Sequence, residues 1–287
     1  MGAADVVPGV SGGTIAFISG IYEELILSIN NINLNLFKTW KKEGFKVFWK
    51  QLNGNFLLAL FLGIFISLFS LATLVSWLLE NHPILVWSFF FGLVAASIFF
   101  VGKEIKKWNV ATMTFFLAGA IIAYFITTLP PNENIESLPY LFLSGALAVC
   151  AMILPGISGA FILVLLGSYK TILDAVHERN IVTIAIVALG AIFGLLSFAR
   201  LLKWMFKKYH DITLALLTGF ILGSLNKIWP WKKVLEAKTF GEKVITIKEK
   251  NISPFAFEGD NQLLWAVVLA IIGFSLIFIL ERAAAKK

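Results

Sequence analysis

Six long apolar blocks set the strongest limit on how this chain can fold. They cover residues 56–79, 84–101, 110–129, 181–202, 212–228 and 263–280. A helix needs about 20 apolar residues to cross a bilayer, so each block is long enough to span one. Of the 287 residues, 14% are charged, whereas a soluble domain carries about 25%. We therefore predict an all-α, polytopic membrane protein.

Two further apolar regions, residues 6–29 and 141–173, are each interrupted by the same kind of phrase. The first contains PGVSGGT at residues 8–14, and the second contains PGISGAF at residues 155–161. Pro155 cannot donate its amide to a helix, and the neighbouring glycines weaken one. Backbone groups exposed at membrane depth are tolerated only where protein or a water-filled cavity surrounds them. We therefore predict that each region is a broken or re-entrant hairpin whose turn lines such a space.

In the second region, an arm of 14 residues lies on each side of the phrase, at 141–154 and 160–173. At 1.5 Å per residue, a helical arm would measure about 21 Å, against a hydrocarbon core of about 30 Å. We therefore expect two short helical arms rather than one span. The first region has seven residues before Pro8, so we also expect that this sequence lacks an N-terminal arm.

The two phrases belong to a repeat that covers the chain. Pro155 follows Pro8 by 147 residues, and an offset of 127 residues aligns later glycines of the two halves. Each half is then one hairpin followed by three spans, residues 1–131 and residues 132–287. Because three crossings are an odd number, the second half is predicted to lie upside down relative to the first. Such inverted-topology repeats are typical of transporters, which bind their substrate near the midplane where broken helices meet.

Basic residues predict how the protein is oriented. They cluster at four places that this arrangement puts on one face: residues 37–50, residues 103–107, residues 207–208 and the C-terminus. The positive-inside rule makes that face cytoplasmic. The net charge of +7 therefore indicates topology and contact with anionic headgroups, not nucleic-acid binding.

An apolar helical run follows each phrase at once, so the free amides and the positive dipole end of a helix point into each turn. Glycines let an anion approach the backbone closely, and hydroxyl groups add donors without a buried charge. We predict that the two turns together bind a phosphate-sized anion. The residues concerned are Gly9, Ser11, Gly12, Gly13, Thr14, Gly156, Ser158 and Gly159. The alternative is that the phrases are only tight turns or helix-packing glycines.

Four charged residues that fall in or beside apolar segments are candidates for further roles. Arg200 lies near the cytoplasmic end of its span, where it either snorkels to the interface or adds its forked donors to a phosphate site. Asp5 precedes the first phrase and has no counterpart in the second half, and Glu23 and Glu24 follow the first hairpin. These carboxylates are candidate coupling or gating residues for protons or sodium. Their alternative is a solvated chain end or helix end.

Residues 9–13 also match the G-x-S-x-G signature of serine hydrolases. That signature needs a preceding strand, and its serine needs a base within reach. His82, His177 and His210 fall in predicted loops and show no metal-ligand spacing. Cys150 lies in an apolar run and is expected to be a small core residue. We therefore expect neither an enzyme nor a bound metal or cofactor.

At MGAADVVPGVSGGTIAFISGIYEEL, and again at MILPGISGAFILVLLGSY, the chain resembles the bacterial PopT-type undecaprenyl phosphate translocases. The resemblance covers essentially the whole chain, with Ala160 standing where the first copy has Gly13. It implies an inner-membrane carrier that returns undecaprenyl phosphate from the outer to the cytoplasmic leaflet for cell-wall and surface-glycan synthesis. The phosphate-binding segments that it implies are residues 8–14 and 155–160.

Two other functions stay open from the residues alone. An ion-coupled carrier of a small anionic solute would use the same geometry, and an intramembrane serine hydrolase is the less favoured alternative. A lateral opening lined by Phe and Leu would favour the lipid, whereas an enclosed polar cavity would favour the solute. A structural scaffold would bind neither ligand.

Overall fold

The computed structural model describes all residues except 6, 8–9, 133–134, 136, 241–242 and 285–287. Gly9 of the predicted anion site and the end of the basic C-terminus therefore lie outside the described residues. The first half contains α1 (Gly2–Asp5), α2 (Gly12–Ile18), α3 (Tyr22–Asn30), α4 (Leu34–Glu43), α5 (Phe45–Leu52), α6 (Gly54–Asn81), α7 (Pro83–Glu104) and α8 (Val110–Thr128).

The second half has a similar order of elements with a sheet before its last helix. It contains α9 (Leu138–Ile153), α10 (Gly159–Leu165), α11 (Tyr169–His177), α12 (Ile181–Lys208), α13 (His210–Ser224), a 3₁₀ turn (Leu225–Ile228), β1 (Lys232–Phe240), β2 (Lys243–Asn251), a second 3₁₀ turn (Pro254–Ala256) and α14 (Leu263–Ala284). Each predicted span is helical. By length and composition, 5 helices could cross a membrane, or up to 7 if each of two bent pairs is one span. This confirms a polytopic, mainly helical membrane protein.

Both hairpins bend at a glycine, which corrects one expectation. The trailing arm predicted at 160–173 is two helices, α10 and α11, which meet at 106°, and α2 and α3 meet at 114° in the same way. Gly167 and Gly20 occupy these turns with φ of +70° and +71°, a conformation that residues with a Cβ rarely adopt. The prediction of one continuous trailing arm is wrong because this glycine ends the helix.

A two-stranded antiparallel sheet precedes α14, in a segment that the all-α prediction treated as a loop. Strands β1 and β2 pair along their length, from Lys232 opposite Asn251 to Phe240 opposite Lys243. Strand β2 contains a run of four β-branched residues, from Val244 to Ile247, and such residues favour strands. The first 3₁₀ turn joins this sheet directly to the end of α13, so the sheet is anchored close to the membrane-spanning helices.

Helices α8 and α13 pack with their backbones in contact. A Cβ added to Gly219 of α13 would collide with the carbonyl oxygen of Phe116, and one added to Gly119 of α8 would collide with that of Leu216. Small residues that allow such an approach are characteristic of helix packing in membranes. The glycines therefore fix the distance between these two helices.

Helices α7 and α14 repeat this contact. Gly92 lies against the carbonyl of Ala270, and Gly273 lies against that of Phe89. Gly92 and Gly219 are related by the offset of 127 residues found in the sequence. Each pair joins one helix of the first half to one helix of the second, so the halves are interlocked rather than placed side by side.

Replacing Gly219 by alanine should destabilise the protein. The added Cβ would collide with the Phe116 carbonyl, and overpacking of this kind costs about 1–3 kcal/mol. We expect a lower thermal unfolding midpoint in detergent. Gly63→Ala on α6 is the matched control, because a Cβ there meets nothing within 4 Å. A Gly219→Ala midpoint equal to that of wild type would contradict the close contact between α8 and α13.

Candidate functional site

The first motif, residues 8–14, leads into helix α2. Ser11 is the extended N-cap of this helix, and its hydroxyl oxygen accepts a hydrogen bond from the Gly13 amide at 3.1 Å. Ser11 and Thr14 are each 1% exposed. The hydroxyl groups of the first motif are therefore enclosed by protein in this structure.

Asp5 lies at the N-terminus of α2. Its carboxylate oxygen Oδ1 accepts a hydrogen bond from the Gly12 amide at 2.7 Å. Helix N-termini favour anions because their amides and dipole end are positive. Asp5 thus holds the position at which the sequence predicts a phosphate oxygen, and a role in coupling remains a prediction for this residue.

Side chains of the first motif contact the backbone around the second motif, residues 155–161. The Ser11 hydroxyl donates towards the carbonyl oxygens of Met152 and Leu154, at 3.2 and 3.3 Å. In the other direction, the Gly156 amide donates to the Thr14 hydroxyl at 2.9 Å. The two motifs therefore meet, and side chains of the first motif satisfy backbone groups that the break in the second hairpin leaves free.

The second motif differs from the first in what it leaves free. Ser158 is the extended N-cap of α10 and makes no side-chain capping bond, and it is only partly buried. The amides of Gly159, Ala160 and Phe161 donate no hydrogen bond to any residue that the structure describes. A hydroxyl group and three adjacent amides are thus available at the second motif, whereas the corresponding groups of the first motif are occupied.

The other predicted site residues lie away from this meeting point. Arg200 is exposed on α12 and pairs with none of the described residues. Glu23 makes no hydrogen bond to either motif among the described residues; its Oε1 lies 3.1 Å from Nε2 of His210 at the start of α13. Glu24 accepts a hydrogen bond from the Asn53 side chain at 2.8 Å. Glu23 and Glu24 lie in the first turn of α3, whereas Arg200 lies within α12. The functional roles predicted for these three residues stay predictions.

A charged cluster beside the second motif was not predicted from the sequence. Lys227 and Lys232 both pair with Oε1 of Glu249, at 2.7 and 3.0 Å, and the Lys227 ammonium lies 4.8 Å from the centre of the Phe161 ring. One signal was available in the repeat, because Lys227 aligns with Phe100 of the first half at the 127-residue offset. Glu249 gave no such signal, since only the strand pairing brings it near.

An apolar groove runs beside the end of α13. It has a volume of about 470 Å³, and Tyr124, Phe125, Leu222 and Asn226 are among the residues that line it. Asn226 adjoins Lys227 in the chain, so the groove opens next to the charged cluster. This is a partly open apolar surface and not an enclosed polar cavity.

Comparisons with known proteins identify the family. Residues 1–246 match the family model described as undecaprenyl phosphate translocase-like. The chain belongs to this family. It is similar to a polyprenyl-phosphate transporter of Vibrio cholerae, with 47% identity over 100% of this chain and 94% of the relative. A polyprenyl-phosphate transporter of Staphylococcus aureus is 30% identical over 80% of this chain and 83% of its own length. No solved structure matches the chain.

Family membership confirms the resemblance read from the two motifs. Both relatives are named as transporters, which agrees with the expectation that the chain is not an enzyme. The Ser11 hydroxyl donates towards the backbone carbonyl oxygens of Met152 and Leu154.

Thr14→Val should loosen the contact between the two motifs. The change keeps the size of the side chain but removes the oxygen that accepts from Gly156, and an unsatisfied buried amide costs about 1–3 kcal/mol. We expect a lower thermal unfolding midpoint in detergent. Thr14→Ser keeps the hydroxyl and should lose less stability. If both variants melt at the same temperature, the hydrogen bond does not join the motifs.

Proposed function

We propose that this protein carries undecaprenyl phosphate from the outer to the cytoplasmic leaflet of the bacterial inner membrane, and so returns the lipid carrier for cell-wall and surface-glycan synthesis. The observation that supports this most directly is the contact between the two motifs in a member of the translocase-like family. Unassisted movement would take a charged phosphate through hydrocarbon, at a cost of roughly tens of kcal/mol by simple ion-transfer estimates. A polar path through the protein removes most of that cost.

The phosphate binds at the second motif in this proposal. The Ser158 hydroxyl and the amides of Gly159, Ala160 and Phe161 have no partner among the described residues, and Gly156 keeps the turn narrow, at a φ of +91°. Ser11 and Thr14 support this site by holding the second hairpin in place, and Gly13 allows the close approach, because a Cβ there would collide with the carbonyl oxygen of Ile153. In the opposite-facing state, the first motif would offer the equivalent donors.

Alternating access by rocking of two inverted halves is the proposed mechanism. The equivalent glycine contacts of α7 with α14 and α8 with α13 support a repeat of this kind. The basic loops and the C-terminus face the cytoplasm in this arrangement, as the positive-inside rule requires. The two bends at Gly20 and Gly167 lie at equivalent places in the halves and are suited to act as hinges.

Asp5 provides a route to coupling. Its carboxylate occupies the Gly12 amide, so a phosphate could bind the first motif only after this carboxylate left or lost its charge. Proton or sodium binding at Asp5 would therefore favour the state in which the first motif receives the phosphate. Glu23, which faces His210, is the second candidate for such a role.

The prenyl tail stays on the apolar surface of the protein. The groove of about 470 Å³ beside α13 is lined by Phe125 and Leu222 and lies close to the second motif through the 3₁₀ turn that follows α13. A lipid whose phosphate entered the site could leave its first isoprene units there. This open apolar groove favours a lipid over a small anionic solute.

Ser158→Ala should weaken binding of undecaprenyl phosphate to the purified protein. A hydrogen bond to a charged group is worth about 1.5–3 kcal/mol, so the dissociation constant should rise roughly ten- to hundredfold. Ser70→Ala on α6 is the control, because the Ser70 hydroxyl donates to the Ile66 carbonyl of its own helix. This variant should leave the affinity unchanged. Binding can be followed by tryptophan fluorescence in detergent.

The same titration with undecaprenyl diphosphate and a plain phospholipid tests the ligand itself. Wild type should prefer the monophosphate. Equal affinity for inorganic phosphate would favour the small-anion carrier instead, and no binding of any prenyl phosphate would contradict the proposed function.

A further inference from the structure

Two contacts bring the first 3₁₀ turn, Leu225–Ile228, against the second motif. Ser224, which directly precedes this turn, lies so close to Gly156 that a Cβ on the glycine would collide with its hydroxyl. At the other end of the motif, the Lys227 ammonium lies 4.8 Å from the centre of the Phe161 ring. A cation at this distance is attracted to the face of the ring. Lys227 is therefore held beside the same motif whose serine and amides are free.

Lys227 belongs to a cluster with an excess of positive charge. Its ammonium lies 2.7 Å from Oε1 of Glu249, and that same oxygen lies 3.0 Å from the Lys232 ammonium. Two cations thus share one carboxylate oxygen, which leaves the cluster with a net charge of about +1 when all three groups are ionised. Such an excess attracts an anion to this end of the second motif.

The two lysines have different amounts of support. Lys232 is 10% exposed, donates to the Lys227 carbonyl oxygen at 2.5 Å and lies 4.4 Å from the centre of the Trp87 ring. Lys227 is 21% exposed and has Glu249 as its hydrogen-bond partner. Lys232 is therefore fixed by three groups and can remain the ion-pair partner of Glu249 alone. Lys227 can turn to a new partner by giving up one hydrogen bond, that to Glu249.

Glu249 is suited to stay with Lys232 after such an exchange. Burial alone would raise the pKa of Glu249, but the ammonium groups of Lys232 and Lys227 outweigh burial and hold that pKa below its usual value. The carboxylate consequently stays charged at neutral pH and needs at least one cation. With Lys232 in place, the departure of Lys227 does not strand a buried charge.

We propose that Lys227 is a phosphate-binding residue of the second motif. Its ammonium pairs with Glu249 while no ligand is bound, and it pairs with the lipid phosphate when Glu249 pairs with Lys232 alone. This inference rests on the proposed function and adds a charged residue to a site that otherwise offers hydroxyl and amide donors. The ligand group is a phosphate monoester on a prenyl chain. The phosphate carries a charge that the corresponding alcohol lacks, and the Lys227 ammonium supplies the opposite charge that recognises it.

The test compares binding of undecaprenyl phosphate with binding of undecaprenol, which lacks the phosphate. Lys227→Gln should raise the dissociation constant for the phosphate about ten- to hundredfold, the range for losing a charged hydrogen bond, and leave that for the alcohol unchanged. Lys233→Gln is the matched control, because Lys233 also pairs with a glutamate at 2.7 Å but is 55% exposed on the same sheet. It should bind both lipids as wild type does.

Glu249→Gln tests the exchange of partners itself and should change the affinity for the phosphate in the opposite direction. Removing the competing carboxylate frees Lys227, so affinity for the phosphate should rise severalfold, whereas a cluster with a purely structural role would give weaker or unchanged affinity. Weaker or unchanged affinity in Glu249→Gln, or tight binding by Lys227→Gln, overturns the inference and leaves the proposed function standing.

A wild type that binds undecaprenyl phosphate and undecaprenol equally overturns the proposed function. Competition by an equal concentration of inorganic phosphate would overturn the assignment to a lipid.

Discussion

Backbone hydrogen bonding inside the bilayer is the constraint on which the rest of this structure depends. A helix broken at membrane depth frees N–H and C=O groups that lipid cannot satisfy. Here the first hairpin supplies partners for backbone groups of the second, because Thr14 accepts from Gly156 and Ser11 donates towards Met152 and Leu154. Without the first hairpin, the break in the second would leave these buried backbone groups without partners.

The support between the two hairpins is therefore one-sided. An internal carboxylate, that of Asp5, serves the first motif, while the equivalent position in the second half is Met152, whose thioether is a weak acceptor. The second motif is left with free amides and lies beside a cluster of two lysines and one glutamate. Positive charge is therefore concentrated at the second motif, so two motifs of similar sequence have chemically different surroundings.

The sequence predicted the features that depend on length, apolar content and repetition. The spans, the two interruptions and the equivalence of Gly92 with Gly219 were all visible in it. The bends at Gly20 and Gly167 were missed because a matching pair of glycines does not by itself indicate a turn, whereas their positive φ angles do. The cluster around Lys227 was missed for another reason. Its partner Glu249 is brought near by strand pairing, and pairing across such a distance leaves little trace in local patterns.

The exchange of partners between the halves also bears on how the protein is made. Helix α7 packs against α14, which begins at Leu263 near the end of the chain. During synthesis, the glycine-bearing face of α7 therefore has no packing partner until α14 is inserted, after almost every other helix. The first half cannot complete its packing before the second half arrives, so assembly is a late event, and α7 and α8 depend on lipid or on the insertion machinery to shield their faces in the meantime.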